Sequence, residues 1–169
     1  MVVTAQFREQ RVQDTPLSIT AVSGEMLEAR NQQTIDEIAR QAPSVNLTPG
    51  AALFGPSIAA YIRGVGQYDF NPAYEPGVGM YIDDVYHGSL LGAQFDLMDV
   101  ERVEVLRGPQ GTLTGRNSIG GAIKMYSVQP SEEAGGYVEG KLGSRDLVQV
   151  RGAVNFPVSD NLFARVTGS

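Results

Sequence analysis

The sequence has no cysteine, no tryptophan and a single histidine, His87. Without thiols there is no disulfide framework, no thiolate metal site and no thiol nucleophile. One imidazole excludes a His-rich metal centre and leaves no serine with a credible His/Asp assembly. No stretch approaches the ~18 apolar residues of a membrane-spanning helix. A block of basic residues is also missing: 13 Lys and Arg are interspersed among 19 Asp and Glu, for a formal charge of -6, so no nucleic-acid footprint is present. The opening Met-Val-Val-Thr-Ala-Gln-Phe-Arg-Glu lacks the basic region, apolar core and small-residue cleavage site of a secretory signal. What is plentiful is glycine, 20 in 169 residues, in a chain long enough to bury one core. On these grounds alone the chain is an α+β domain.

Residues 2–14 are polar with short apolar patches, and a mobile arm is expected there. Leu17–Val22 alternates as a strand. Ser23 caps a short helix over Gly24–Asn31 that turns Met26 and Leu27 inward. Thr34 with Glu37 forms a capping box, after which Ile35, Ile38, Ala39 and Ala42 share one helical face. Pro43 ends that helix. Val45–Leu47 is a short strand, and Thr48–Ser57, rich in Gly, Pro and Ala, is expected as a loop. Ile58–Arg63 is a strand stopped by glycines. Gln67–Pro76 is a second loop. Val78–Ile82 and Asp84–Tyr86 flank the acidic pair Asp83-Asp84, and Val100–Leu106 and Ala122–Tyr126 are further strands.

Three features invite a chemical reading. The glycines of Gly108–Gly121 fail as a phosphate loop: the position five before Gly115 is Gln110, and Arg116-Asn117 follows where Lys and Ser/Thr are needed. Those glycines suit sharp turns. Asp83, Asp84 and His87 are a weak acid/base or metal cluster, because consecutive carboxylates on an extended chain point to opposite faces; a turn in which Asp accepts local backbone N–H groups fits better. Glu101 and Glu104 also diverge on a regular strand. Arg63 and Arg107 each end a hydrophobic strand and precede Gly, a common setting for a solvated arginine.

After a linker at Ser131–Gly135 the pattern changes to three strands of period two. Val138, Gly140 and Leu142 oppose Tyr137, Glu139 and Lys141; Val148, Val150, Val154 and Phe156 oppose Gln149, Arg151 and Asn155; Leu162, Ala164 and Val166 oppose Arg165 and Thr167. Their lengths approach the ~9–11 residues of outer-membrane strands, but a half-buried soluble meander alternates in the same way.

The run LMDVERVEVLRGPQGTLTGRNSIGGAIKM, Leu97–Met125, joins a charged strand to an Arg-Gly-Pro break, a Gly-rich turn region and a second strand. It closely resembles the signature of the plug domain of TonB-dependent outer-membrane receptors. VVTAQ at Val2–Gln6, AYIRGVG at Ala60–Gly66 and VGMYIDDVYHG at Val78–Gly88 carry the same resemblance, which covers nearly the whole chain. It implies an N-terminal arm with a partial TonB box over residues 1–14, a small mixed-sheet α+β plug over 15–130, and a linker with the first antiparallel strands of a transmembrane β-barrel over 131–169, the barrel itself incomplete. Three strands cannot close a barrel, so if only residues 1–169 exist, no stable membrane insertion is expected and residues 137–169 are expected to be disordered or to aggregate.

The resemblance also implies roles. Arg63 and Arg107 would latch the plug to glutamates on the inner wall of a barrel of about 22 strands. Val2, Val3, Thr4 and Ala5 would couple to periplasmic TonB by strand addition. The exterior loops, with Phe54, Tyr68, Phe70, Tyr74, Tyr86 and His87, would face the ligand. The implied protein is a transporter with no resident cofactor and no enzymatic step, set in the outer membrane of a Gram-negative bacterium. Its partners are TonB, its own barrel, membrane lipid and a small ligand such as an iron siderophore, with haem, cobalamin, carbohydrate or a plant-derived aromatic as other cargoes. The competing readings are a soluble binding or scaffold module, and a hydrolase built around Asp83, Asp84 and His87.

Overall fold

The chain begins with a small hairpin: β1 (Val2–Val3) pairs antiparallel with β2 (Gln10–Arg11), followed by a 3-10 turn at Val12–Asp14. The computed structural model describes residues 2–5, 8–52, 55–71 and 73–169, with the side chains of 51 and 52 left out. Next come β3 (Ser18–Ser23), α1 (Gly24–Ala29), a 3-10 helix at Ile35–Arg40, β4 (Val45–Ala52), β5 (Gly55–Ile62), β6 (Val65–Gln67), β7 (Val78–Ile82), β8 (Val85–His87), β9 (Val100–Arg107), α2 (Gly111–Thr114) and β10 (Gly121–Ser127). Then β11 (Gly135–Leu142), β12 (Val148–Ser159) and β13 (Leu162–Gly168) complete the chain. It divides into two compact units, Met1–Ser127 and Val128–Ser169, close to the boundary expected at 130.

The first unit is built on a five-stranded sheet of order β3-β9-β10-β7-β8, in which only β10 and β7 run parallel. One face of this sheet presents Val22, Val103, Val105, Ile123 and Met80, and these pack into the main core with Leu27, Ile35, Ile38, Leu47, Ile58 and Ile62. The helices sit where their caps put them. The Ser23 hydroxyl accepts the Met26 N–H at 3.4 Å, and the Glu37 carboxylate reaches back to the N–H groups of Gln33 at 2.7 Å and Thr34 at 3.4 Å. The second helix is a 3-10 helix, whose three-residue repeat stacks Ile35 and Ile38 on one line; both are fully buried.

Two expectations are corrected here. Thr48–Ser57 is largely strand rather than loop. β4 and β5 form a long antiparallel hairpin with Thr48 opposite Ala59 and Pro49 opposite Ile58. β4 is the edge of the three-stranded sheet β4-β5-β6, and an edge tolerates Pro49 because its missing N–H removes no ladder bond. The expected mobile arm is likewise folded in its described residues, since Val3 and Ala5 are buried.

The Asp83-Asp84 turn joins β7 to β8 with both residues at positive φ, 48° and 63°, the backbone of a two-residue hairpin loop. Its carboxylates reach across to β10 rather than back to their own turn. Asp83 accepts the Ser127 N–H at 2.9 Å and the Ser127 hydroxyl at 2.7 Å, while Asp84 accepts Lys124 Nζ at 2.9 Å and the Tyr126 hydroxyl at 3.0 Å.

The second unit is an antiparallel meander, β11-β12-β13. Its alternation follows the sequence. Val138, Leu142, Val148, Val150, Val154 and Val166 are exposed on one face, while on the other Arg151 pairs with Glu139 at 2.6 Å.

Gly121 is the tightest point of the central sheet. It has φ 150°, and a Cβ there would lie 2.2 Å from the Leu106 carbonyl oxygen; Gly64, at φ 79°, has nothing within 4 Å of its would-be Cβ. Gly64→Ala is therefore expected to cost only the backbone strain of about 1–2 kcal/mol, whereas Gly121→Ala should cost ~3 kcal/mol or more because the β9–β10 pairing must open. Urea titration of the two variants checks this; equal shifts of midpoint would contradict it.

Candidate functional site

The β5–β6 turn and the end of β9 converge on the Pro43–Ser44 corner. Arg63 occupies that turn at φ 53°, and its N–H donates to the Ser44 carbonyl at 2.8 Å. Arg107 closes β9 and donates from Nη1 to the Pro43 carbonyl at 3.3 Å. The Arg63 side chain runs past the end of β9. A Cβ built on Gly108, the residue after Arg107, would stand 3.2 Å from Arg63 Nη1, and the φ of 99° at Gly108 favours glycine there. Beside them opens a cleft of ≈ 520 Å³ lined by Ser44, Val45, Asn46, Tyr61, Arg63 and Gly64.

The charge at this corner is unbalanced. Among the described residues no carboxylate lies within ion-pair distance of either arginine, and Arg107 Nε is buried without a hydrogen-bond partner. A buried guanidinium N–H left unsatisfied is costly. Each guanidinium is permanently charged and presents a planar fork of donors, chemistry that suits a carboxylate bound by two parallel hydrogen bonds.

The aromatic candidates divide. Tyr68 and Tyr74 are exposed on the Gln67–Tyr74 loop, which is shaped by Asp69 accepting the Asn71 N–H and Asn71 accepting the Ala73 N–H, at 2.9 and 3.0 Å. Glu75 ties the end of this loop to Arg116 at 2.9 Å. Phe70 packs against the main core. Tyr86 stacks at a tilt on Tyr81 with centroids 5.4 Å apart and accepts a hydrogen bond from Asn117 at 2.7 Å. His87 meets the edge of Phe95 at 5.1 Å, and its Nε2 is buried without a partner. Phe54 lies outside the described residues. Asp83, Asp84 and His87 do not form a cluster able to hold a metal, and no such cluster occurs among the described residues.

A charged group that the sequence reading left on the strand flank lies at the centre of the fold. Glu104 on β9 stands opposite Lys124 on β10, and both have 0 % exposure. Arg102 bonds Glu104 at 2.9 Å and Glu101 at 2.8 Å, and stacks on the Tyr126 ring at 3.9 Å. Burial opposes the Arg102 charge, but the hydrogen bond and charges of Glu104 and Glu101 outweigh it and hold the guanidinium above its ordinary pKa. Burial pushes the Tyr126 phenol well above its usual range, with the Glu104 and Asp84 carboxylates adding to the shift and a Thr4 hydrogen bond opposing it. The tyrosine therefore stays a neutral donor. The available sequence signal was a Glu and a Lys each set inside an apolar strand; the register that pairs them was not readable.

Arm residues complete this group. The Thr4 N–H donates to Glu104 Oε1 at 2.9 Å, and Arg102 Nη2 donates to the Thr4 hydroxyl at 2.9 Å. Ala5 packs with Tyr81, Leu106 and Ala122, while Val2 is exposed.

Known proteins share this arrangement of sheets. The chain is 35% identical over 96% of its length to the pesticin receptor of Yersinia pestis, of which it spans 24%. It is 30% identical over 91% of its length to the vitamin B12 transporter BtuB of Photobacterium profundum, spanning 25% of that protein. The chain thus covers about a quarter of these relatives. Among solved structures, the ferric yersiniabactin uptake receptor FyuA from Yersinia pestis superposes with a TM-score of 0.75 at 34% identity, over 89% of this chain and 23% of that one. The ferripyoverdine receptor of Pseudomonas aeruginosa shares the fold with a TM-score of 0.78 at 23% identity, over 99% of this chain and 22% of that one. Residues 11–122 match the family described as TonB-dependent Receptor Plug Domain, and with the mixed sheet and these relatives in view, the chain belongs to that family.

Proposed function

We propose that this chain is the gate of an outer-membrane transporter: a plug seated inside a β-barrel, which admits a scarce ligand when TonB works on its N-terminal arm. The observation that carries this reading is the Arg63/Arg107 corner, where two cations converge without a carboxylate of their own among the described residues. Glutamates on a surrounding barrel wall would complete it, and two bidentate pairs in a narrow gap would hold a plug without an extensive apolar interface. The meander supports the same reading. Its exposed apolar face, Val138 at 80 % and Leu142 at 82 % exposure among others, is opposed by a polar face carrying Glu139 and Arg151, as in a lipid-facing strand with a wet interior. A soluble scaffold would leave that face in water.

An iron siderophore is the cargo class that the relatives favour. Their names include receptors for ferric yersiniabactin, ferripyoverdine and ferrioxamine B, beside a vitamin B12 transporter. The reading assigns ligand contact on the plug to Tyr68 and Tyr74, whose exposed flat rings with polar tips support it. The reading assigns no enzymatic step.

Two outcomes test it in the full-length receptor. Charge reversal at Arg63 or Arg107 should cost about 2–5 kcal/mol of plug–barrel attachment, the usual loss when one partner of a buried charge pair is removed. It should impair siderophore uptake, and a compensating arginine on the facing barrel glutamate should restore it; unchanged uptake in both single variants would remove the latch. Tyr68→Ala and Tyr74→Ala should each weaken siderophore binding by about 0.5–1.5 kcal/mol while leaving plug unfolding unchanged, as read by ligand titration and urea denaturation of the same samples.

A further inference from the structure

The stretch of chain that joins the two units is short and gripped at both ends. At its start, Ser127 closes β10, and its N–H and hydroxyl both donate to Asp83, at 2.9 and 2.7 Å. At its far end, Ser131 lies against Asn155 of β12. The Asn155 side chain accepts the Ser131 N–H at 3.1 Å. It donates to the Ser131 carbonyl at 2.9 Å, the Ser131 hydroxyl at 3.1 Å and the Glu133 carbonyl at 2.5 Å. Three acceptors thus share two N–H groups, and one side-chain amide reads backbone donors and acceptors together, as a neighbouring strand would. Asn155 is 4 % exposed and Ala153 is 1 % exposed, and these two are the only buried residues of the second unit. Strand alternation puts both on the polar face that carries Arg151.

We infer that Asn155 forms a binding site for the chain's own Ser131–Glu133 segment, and that Asn155 and Asp83 together make Val128-Gln129-Pro130 a fixed strut rather than a slack tether. The residues between the grips suit a strut. Pro130 locks its own φ and holds Gln129 in extended backbone. Four residues separate Ser127 from Ser131, so the two gripped points can never stand more than ~14 Å apart. Without Asn155, the next fixed point along the chain is the start of β11 at Gly135. The reach from Ser127 would then double to ~28 Å. One asparagine therefore sets how much free chain lies between the units.

The use of such a strut rests on the transport reading given above. A pull on the N-terminal arm strains the plug only if the plug's trailing end is held. The last plug strand, β10, ends at Ser127, so the strut holds that end. A reach of ~14 Å is well short of the ~25 Å apolar band of an outer-membrane barrel. While both grips hold, the plug cannot clear that band as one body, and the pull acts on the plug's own sheet instead. With Asn155 released, part of the pull would be lost in drawing out slack.

Two measurements on the full-length receptor test this. In hydrogen exchange, Asn155→Ala should speed exchange of the Ser131 amide by about tenfold, and Asp83→Gly should do the same at Ser127, the factor expected when a hydrogen bond is lost. Glycine keeps the turn at position 83, because it accepts the positive φ there. In force spectroscopy, a stylus pulls the N-terminus of the receptor out of a supported membrane. The last held point before the barrel strands give way should lie at residue 131 in the unaltered receptor. In Asn155→Ala it should lie near residue 135, a gain of ~14 Å of chain. Ser131→Cys with Asn155→Cys joins two side chains already 3.1 Å apart. Oxidised, this receptor should hold at 131; reduced, it should hold near 135. Only one bond differs between those states, so misfolding cannot produce the shift. A held point that stays put on reduction, or a Ser131 exchange rate that Asn155→Ala leaves unchanged, would overturn the strut. Neither measurement involves a cargo, so a receptor that imports no siderophore would defeat the transport reading without moving either result.

Discussion

The antiparallel pairing of β9 with β10 is the contact on which every other feature depends. It sets Val105 beside Ile123 on one face and Glu104 beside Lys124 on the other. The first pair nucleates an apolar core; the second buries opposite charges where a lone one would be costly. The same register brings Gly121 opposite Arg107, and the absence of a side chain at Gly121 is what allows the Leu106 carbonyl to come so near. Arg107 thereby reaches the Pro43 corner where Arg63 waits. A slip of one residue would exchange the two faces, exposing Val103 and Val105 and driving Glu104 into hydrocarbon.

Seen from this pair, the plug carries polar work at both ends of one strand. Near its start, Arg102 and Glu104 hold the arm. At its end, Arg107 joins Arg63 in a cationic corner. Eight residues, Val100–Arg107, thus connect the segment proposed to be pulled with the segment proposed to be anchored. Opening a sheet with buried charges at its centre returns those charges to water and so recovers part of their burial cost. Local opening of uneven stability follows from that composition.

Local chemistry was legible where it is self-contained. Ser23 and Glu37 announced their helices, the Asp83-Asp84 pair announced a turn, and period-two alternation announced the three strands beyond residue 135. The β4–β5 hairpin was hidden because Pro49 and Pro56 read as loop residues; Pro49 is tolerated on the edge strand β4, and Pro56 in the part of β5 beyond its pairing with β6 at Ala60–Ile62, both tertiary facts. The arm looked mobile because nothing near it in sequence could hold it, and its partners lie about a hundred residues away, at Arg102 and Glu104. The two arginines were visible as candidates, but their convergence over Gly108 was not. Long-range register decides all three, and periodicity carries no information about register.

The account stands on the arginine corner being one half of an ionic latch. A double-mutant cycle in the full-length receptor, pairing Arg107→Ala with alanine at the barrel glutamate that faces it and reading release of the plug in urea, measures that directly. A coupling energy of roughly 1.5–7 kcal/mol, the range found for close interfacial charge pairs, is the predicted result. Additivity to within about 0.5 kcal/mol, as for independent sites, would mean that no such pair exists.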